Sequence, residues 1–270
     1  MREEGFTPES GEGILQPLNK ERVAHCFRQA IGTYDLHATV QKQLSERLLD
    51  LAEHYPAIRH ERVLEIGCCT GMLTEMLCRQ HRIGTLFLND LVGDFASVVK
   101  ARIPANKMPA ISPLFGDIET LPLPHDLDLI VSSATFQWLS DLPALLPRLA
   151  LALKDSGFLV FSIFGPGTLA EFTELTGVGL HYRSPEQIAG LLADHFILEH
   201  QSTRQDQLFL SLPRDVLHHL RDTGVGGVRA HRWTSATLKH FEQEYQARFG
   251  TPAGVPVSYT STCYVARKKK

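Results

Sequence analysis

The chain is 270 residues long, which allows one large domain or two small ones. Its hydrophobic fraction of 43% and charged fraction of 21% are ordinary for globular proteins and exclude wholesale disorder. Lys and Arg total 27 against 30 Asp and Glu, so the formal net charge is -3. General binders of nucleic acid or of anionic membranes need a basic excess, so this balance argues against both classes.

The cysteines and the apolar runs bear on the compartment. An odd count of five cysteines, two of them adjacent, does not suit a framework of disulfides and favours a reducing compartment. No CxxC pair is present, so we predict no metal site. The acidic, polar start is unlike a secretory signal, and no apolar run approaches the ~20 residues of a membrane span. We therefore expect a cytoplasmic protein that does not enter a membrane.

The first 55 residues predict an arm followed by a helical cap. Residues 1–18 are rich in Gly and Pro and show no apolar periodicity, so we expect a flexible arm. Asn19 suits the N-cap of a helix over residues 20–30. A turn signal separates it from a second helix over residues 37–54, whose apolar side chains recur at helical spacing. Together these helices make a predicted N-terminal cap over residues 19–55.

Strand and helix patterns then alternate along the chain. Runs rich in β-branched and apolar residues are separated by helical stretches such as residues 72–77 and 142–153. This alternation predicts an α/β fold with a doubly wound, mostly parallel sheet and helices on both faces. The five predicted strands cover residues 62–66, 85–89, 110–115, 127–131 and 157–162.

After Phe164 the regularity loosens. A Gly-Pro-Gly break is followed by a helix that Ser184 and Pro185 open, by a strand over residues 196–199, and by two further helices. A final strand is predicted over residues 257–265, with a basic tail over residues 267–270. We expect a single domain over residues 19–266, with a helical lid and substrate region at residues 165–250.

A glycine-bearing turn after the first strand indicates a nucleotide site. Gly67 allows a ligand to approach the backbone closely, and Gly71 permits a tight turn into the following helix. Glu65 precedes this turn, and Asp90 ends the next strand 23 residues after Gly67. In doubly wound folds an acid at that position accepts hydrogen bonds from ribose hydroxyls.

Two further strand ends extend this constellation. Asp117 follows the third strand, where a carboxylate can accept from the exocyclic amine of adenine while Ile118 packs on the ring. Ser132 and Ser133 end the fourth strand and are expected at the rim of the same crevice. The sequence therefore predicts an adenosine-binding crevice at the carboxyl edge of the sheet.

The segments LEIGCCTG, LNDL, GDIE and DLDLIVSS, in this order, resemble motifs I to IV of class I S-adenosylmethionine-dependent methyltransferases. The resemblance covers residues 20–165 and implies a seven-stranded sheet with S-adenosyl-L-methionine as cofactor. Cys69 stands where the family usually has Gly, so the loop is expected to sit differently against the amino-acid part of the cofactor. An ordinary buried cysteine is the other interpretation of Cys69. The cofactor residues implied by the resemblance are Glu65, Gly67, Cys69, Gly71, Asp90, Leu91, Asp117, Ile118, Ser132 and Ser133.

Flanking segments narrow the resemblance further. An FxxA…Y…HAxxQ pattern at residues 27–41, a QW dipeptide, and the segments FGPGTL, HLRDTGVGG and PVSY together resemble the malonyl-acyl carrier protein O-methyltransferases of biotin synthesis. That resemblance spans residues 19–266. It implies methylation of the free carboxylate of a malonyl thioester, with malonyl-acyl carrier protein or malonyl coenzyme A as the substrate.

This chemistry needs placement more than proton transfer. A carboxylate is already a nucleophile, so we expect no catalytic general base, and near-attack placement can contribute ~7–11 kcal/mol. Tyr34, Phe136, Gln137 and Trp138 are the candidate substrate-binding residues, with packing inside the protein as the alternative role. Arg221 is the best-placed candidate for gripping a phosphate or an acidic carrier protein, with a solvated surface charge as the alternative.

Two rival functions remain open at the level of sequence. One is another small-molecule methyltransferase of the same fold, and the other is a methyltransferase-like assembly factor that holds a protein partner. The acids Glu65, Asp90 and Asp117 favour cofactor use over a role in binding only. We also expect residues 165–250 to fold over the cofactor crevice and to carry the carrier-protein contact.

Overall fold

The computed structural model describes residues 18–55, 58–228 and 233–270. Almost all of the predicted arm, residues 1–17, lies outside the described residues. Within the described residues seven strands form one sheet in the order β3-β2-β1-β4-β5-β7-β6. β7 runs in the opposite direction to the other six strands. The predicted doubly wound, mostly parallel sheet is confirmed. The strands are β1 Arg62–Ile66, β2 Thr85–Asn89, β3 Ala110–Pro113, β4 Leu127–Ser133, β5 Leu153–Phe164, β6 Phe196–Leu210 and β7 Val255–Lys268.

Helices cover both faces of this sheet. Successive residues of β1 show why, since Val63 packs into one buried apolar cluster and Leu64 into another on the opposite face. The helices are α1 Lys20–Ala30, α2 Tyr34–His37, α3 Thr39–Glu53, α4 Met72–Gln80, α5 Phe95–Arg102, α6 Leu142–Ala152, α7 Ala170–Thr176, α8 Pro185–Leu192, α9 Pro213–Asp222 and α10 Ser235–Phe249, with short 3-10 turns at Ala105–Lys107, Phe136–Trp138 and Val225–Val228.

The predicted caps form. The side chain of Asn19 accepts a hydrogen bond from the N–H of Arg22 and opens α1. Ser184 and Gln187 form a reciprocal capping box at the start of α8, where Pro185 takes the first position. Short local signals thus determine where these helices begin.

The chain order reverses between β1 and β4, because β2 and β3 lie on one side of β1 and β4 lies on the other. In open α/β sheets the loops diverge at such a point and leave a crevice at the carboxyl ends of the strands. α1 lies over this crevice and is pressed closely against the turn at Val225–Val228, where a Cβ on Gly227 would lie 2.9 Å from the Cα of Val23. Only glycine allows this approach.

Three elements differ from the sequence-based expectations. The helix predicted over residues 37–54 begins at Thr39 as α3, and the short helix α2 occupies part of the predicted turn before it. β6 has 15 residues, far more than the four predicted, because it is an edge strand whose exposed face carries polar side chains and hides the apolar pattern. β7 continues to Lys268, so the predicted basic tail begins inside a strand, where Arg267 is opposite Phe158.

Candidate active site

A cavity that opens to solvent lies at the carboxyl edge of the sheet, beneath α1. Its floor comes from the ends of β1, β2 and β4 and from the loop after β3, and its roof from the buried face of α1. None of the described residues at its wall comes from residues 165–250, the predicted lid. The lining residues are Lys20, Val23, Ala24, Phe27, Tyr34, Ile66, Gly67, Cys69, Asn89, Asp90, Leu91, Val92, Gly116, Asp117, Ile118, Ser133, Ala134, Thr135, Trp138 and Leu139.

The turn after β1 needs left-handed backbone at three positions. Gly67 has a φ of 76°, and a Cβ there would lie 2.0 Å from the Oγ1 of Thr135. Gly71, at the start of α4, has a φ of 86°. Cys69 has a φ of 46°, a conformation that glycine adopts at little cost and other residues rarely adopt. This conformation would suit the glycine that the resemblance implies at this position.

Asp90 holds this turn in place. Its Oδ2 accepts the N–H of Cys69 at 2.8 Å, and its Oδ1 accepts the N–H of Val92 at 2.8 Å. Burial raises the pKa of the Asp90 carboxyl to about 6, although these N–H donors act in the opposite direction. A ligand that donates hydrogen bonds to this carboxylate from the cavity would favour its charged form.

A second acid, Asp117, also lines the cavity. Asp117 accepts a hydrogen bond from the Nζ of Lys20 at 2.5 Å, and Lys20 also contacts the carboxylate of Glu119. Ile118, between these acids, is buried and faces the cavity. Lys20 thereby ties the start of α1 to the loop after β3. Sequence reasoning did not single out Lys20 or the apolar face of α1.

The predicted cofactor residues fall into two groups. Gly67, Cys69, Asp90, Leu91, Asp117, Ile118 and Ser133 line the cavity, and Glu65, Gly71 and Ser132 stand behind its wall. Ser132 is fully buried and donates to the carbonyl oxygen of Ile66, whereas the hydroxyl of Ser133 joins those of Ser45 and Ser162.

Glu65 illustrates the second group. It is fully buried, and its Oε2 accepts a hydrogen bond from the Thr74 hydroxyl at 2.7 Å. Its Oε1 is buried without a hydrogen-bond partner among the described residues. Burial raises the pKa of Glu65 to about 8, so this side chain is largely neutral at pH 7. Its observed role is to connect β1 to α4 behind the glycine-bearing turn.

A second, smaller chamber adjoins the cavity. The two spaces share Phe27, Tyr34, Ala134 and Trp138, with Phe27 packed edge-on against the Trp138 ring at 5.5 Å. Its described lining residues include no acidic, basic or histidine side chain. The lining residues are Phe27, Tyr34, Gln41, Ala134, Gln137, Trp138, Phe164, Thr168, Leu169, Leu180, Tyr182, Thr223, Val225 and Tyr259.

Three of the four predicted aromatic and amide residues reach this chamber. Tyr34 is buried, which raises the pKa of its hydroxyl well above the usual value. Gln137 lines the chamber and donates from Nε2 to the carbonyl oxygen of Ala134 at 2.6 Å. Phe136 points the other way, because side chains in a 3-10 turn diverge, and it stacks on Phe161 in the core at 4.9 Å. The expectation that Phe136 contacts the substrate is therefore wrong.

The chamber continues into an open groove at the surface. The two share Leu169, Leu180, Tyr182 and Val225. Arg221 lines the groove and is remote from the cofactor cavity wall, and its exposed side chain is paired with Asp222 at 2.7 Å. Among the described residues that line the groove, the charged ones are arginines and two more are histidines: Arg22, Arg214, Arg221, His25 and His218.

Two features are absent from the described residues. No group of three or more His, Cys, Asp or Glu side chains there is arranged to hold a metal ion. No helix in that part of the chain has the length and apolar character needed to span a membrane.

Comparisons with known structures agree with this fold. A putative methyltransferase of Bacillus halodurans matches with a TM-score of 0.61 at 16% identity, over 84% of this chain and 99% of that one. The N-methyltransferase NodS of Bradyrhizobium japonicum, solved with S-adenosyl-L-homocysteine, matches with a TM-score of 0.60 at 15% identity, over 92% of this chain and 100% of that one. These matches establish the methyltransferase fold.

Sequence comparisons identify the family. A family model described as a methyltransferase domain matches residues 64–161. The malonyl-[acyl-carrier protein] O-methyltransferase of Chlorobium phaeovibrioides is 35% identical over 254 residues, which are 93% of this chain and 98% of that protein. The enzyme of the same name from Bacteroides thetaiotaomicron is 32% identical over 94% of this chain and 100% of its own length. With similarity of this degree over nearly its whole length, the chain belongs to the S-adenosylmethionine-dependent malonyl-[acyl-carrier protein] O-methyltransferase family.

Proposed function

We propose that this protein methylates the free carboxylate of a malonyl group held as a thioester on acyl carrier protein. The observation that carries the proposal is the succession of three adjoining spaces: the cofactor cavity, a chamber without charged side chains, and a surface groove lined by arginine and histidine. The names of the similar proteins point to the same substrate. The free thiols of all five cysteines agree with a cytoplasmic location, which we include in the proposal.

The cavity fits S-adenosylmethionine by its donor and acceptor chemistry. Asp90 offers a buried carboxylate for the ribose hydroxyls, Asp117 offers one for the adenine amine, and Ile118 offers an apolar surface for the ring. The missing side chain of Gly67 leaves room against the backbone, since a Cβ there would meet Thr135. When bound, the cofactor supplies an electrophilic methyl group on a positively charged sulfur. Tyr34 and Trp138 stand between that cavity and the chamber, where they can orient the acceptor and exclude water.

The chamber suits a carboxylate nucleophile. A lysine or arginine beside the carboxylate would pair with it and lower its reactivity, and a neutral wall avoids this. Polar groups of Tyr34, Gln137 and Tyr259 can still position it. A carboxylate has no proton to lose, so the chain needs no general base for this reaction.

The groove suits the carrier. Acyl carrier proteins and their phosphopantetheine arms are anionic, and Arg221 and Arg214 lie at the groove wall with His218 between them in sequence. We assign the carrier contact to this groove and the acyl group to the chamber. Malonyl coenzyme A carries the same arm and is the surrogate to compare.

A methyl-transfer assay with matched acceptors tests the proposal. The acceptors are malonyl-acyl carrier protein, malonyl coenzyme A, acetyl-acyl carrier protein and free malonate, with the methyl ester detected by mass spectrometry. We expect methylation of the malonyl thioesters, faster on the carrier protein, and none of the acetyl form, which lacks the carboxylate. Methylation of free acids or of a quinone precursor without turnover of either malonyl thioester would contradict it. Binding of a protein partner without any methyl transfer would favour an assembly factor.

A further inference from the structure

One buried polar side chain of the substrate chamber lacks a partner. Gln41 is 5% exposed and lines the chamber, and its Oε1 is buried with no hydrogen-bond partner among the described residues. A buried amide without a hydrogen-bond partner lowers the stability of the fold, and a ligand that forms the missing hydrogen bond would restore this free energy.

Several other polar groups of this chamber already have hydrogen-bond partners. Thr168 donates to the carbonyl oxygen of Thr260 at 3.0 Å, and Thr223 donates to that of His219 at 2.7 Å. The hydroxyl of Tyr259 is 2.6 Å from the Nε2 of His219, and the Nε2 of Gln137 is used by Ala134. Gln41 is the described chamber residue whose buried side-chain oxygen has no hydrogen-bond partner.

The position of Gln41 on its helix adds to this. It lies in the first turn of α3, a 15-residue helix whose N-cap, Ala38, provides no side-chain hydrogen bond. The N-terminus of a helix carries a positive partial charge that favours an anion nearby. One turn later, Ser45 bonds to the backbone oxygen of Gln41 and to the hydroxyl of Ser133, which lines the cofactor cavity. Gln41 is therefore fixed close to the boundary between chamber and cavity.

We infer that the carboxamide of Gln41 binds the carboxylate of the malonyl group through a neutral hydrogen bond. Because Oε1 has no hydrogen bond to lose, the amide can rotate by half a turn and present its Nε2 in either direction. The amide N–H then donates to one carboxylate oxygen and leaves the other oxygen free to react. A neutral donor fixes the carboxylate without the strong pairing that a cation would impose. The inference rests on the proposed function and names a substrate-binding residue for it.

The variant Gln41→Met tests the inference, with Gln43→Leu as control. Methionine has a similar length without the amide, and Gln43 is an exposed glutamine two residues along the same helix. The probes are two stable pantetheine amides, one carrying the malonyl acid and one its methyl ester. Their binding to protein saturated with S-adenosylhomocysteine is measured by calorimetry. We expect the wild type and the control to prefer the acid, and Gln41→Met to lose about tenfold to a hundredfold of that preference.

Three further readouts separate this role from a structural one. The affinity for S-adenosylhomocysteine should stay within twofold, because Gln41 does not line the cofactor cavity. The melting temperature should not fall, since the substitution removes an unpaired buried polar group. The value of kcat/KM on malonyl-acyl carrier protein should drop about as much as the acid preference.

Retention of the acid preference and of kcat/KM in Gln41→Met would overturn the inference. So would a variant that fails to fold, since the amide would then serve the fold. If the wild type binds the acid in a Gln41-dependent way and yet transfers no methyl group to any malonyl thioester, the proposed function fails while the assignment of Gln41 as a carboxylate-binding residue stands.

Discussion

Asp90 links the geometry of the glycine-bearing turn to cofactor binding, and Asp90→Asn perturbs both. The carboxylate accepts two backbone N–H groups, from Cys69 and Val92, each at 2.8 Å. An asparagine has one oxygen, so its NH₂ group would face one of these N–H donors. Any hydrogen bond from the cofactor ribose would also lose its charged acceptor.

The expected loss follows from these contacts. A hydrogen bond to a charged group contributes about 1.5–3 kcal/mol, which corresponds to about tenfold to a hundredfold in affinity for S-adenosylhomocysteine. In the wild type, burial raises the pKa of Asp90 to about 6. Donors on the cofactor favour the charged carboxylate, so binding below this pH must release a proton and becomes weaker. Glu65, with a pKa of about 8, stays largely protonated between pH 5.5 and pH 7.5, so its own titration contributes little to this pH dependence.

Calorimetry with S-adenosylhomocysteine at pH 7.5 and pH 5.5 measures both effects. We expect the affinity of the wild type to fall about threefold to fourfold between these values, the most that a pKa of about 6 allows. Asp90→Asn should bind weakly at both and show a smaller dependence on pH. Asp155→Asn is the control, because this acid is exposed and does not line the cavity. An unchanged affinity in Asp90→Asn, or a wild-type affinity that is flat over this range while the protein stays folded, would refute the reasoning.

Four further perturbations follow from the site. Lys20→Met should release the start of α1 and speed dissociation of S-adenosylhomocysteine about threefold to tenfold in stopped-flow measurements. Glu65→Gln should leave that affinity within about fivefold. Glu65 keeps its proton up to a pKa of about 8 in the folded protein, against a value of 4.5 when unfolded, so the wild-type protein loses stability as pH rises between these values. Glutamine has no such proton to lose, so the melting temperature of Glu65→Gln relative to wild type should rise between pH 6 and pH 8.5. Arg221→Ala should raise KM for malonyl-acyl carrier protein about threefold at low salt, whereas Arg79→Ala, an exposed paired arginine elsewhere, should not. His219→Gln should keep turnover within about tenfold, and a loss of ~10²-fold or more in a folded, cofactor-binding variant would point to general-base chemistry.

The floor of the cofactor cavity was predictable from sequence for a geometric reason. Carboxyl ends of parallel strands meet at one edge of a sheet, so residues that follow separate strands are brought together without knowledge of tertiary contacts. Gly67, Asp90 and Asp117 each follow a different strand, and all three line the cavity. Strand signals and turn signals were enough to find them.

Whether a residue at a strand end lines the cofactor cavity or lies behind its wall was less predictable from sequence. Ser132 and Ser133 are adjacent in β4, and only Ser133 lines the cavity, because successive side chains of a strand point to opposite faces. Both faces of this sheet are buried, so the apolar pattern does not reveal which alternation faces the ligand. The same ambiguity explains why Glu65 stands behind the wall.

The roof of the cavity and the chamber depend on tertiary packing. Helical periodicity identifies the buried face of α1, but that face covers the cofactor cavity only because α1 packs against the turn at Val225–Val228, about 200 residues later in sequence. Gln41 is likewise a polar residue in a buried helical face, which a periodicity argument treats as an interruption. Its place in the chamber emerges only when α3 is packed against β4.

The buried pair of His219 and Tyr259 shows why the chamber favours a carboxylate over a hydroxyl acceptor. A hydroxyl must lose a proton, and the nearest histidine reaches the chamber only through Tyr259, at 2.6 Å. Burial lowers the pKa of His219 to about 4, with a further contribution from His37, so taking up a proton near pH 7 is unfavourable. Burial also raises the pKa of Tyr259 well above its usual value, so the tyrosine keeps its proton. The pair is therefore neutral: it can shape the chamber and orient an acceptor, and it is a poor base. Only an acceptor that arrives already ionised, as a malonyl carboxylate does, meets no obstacle from this arrangement.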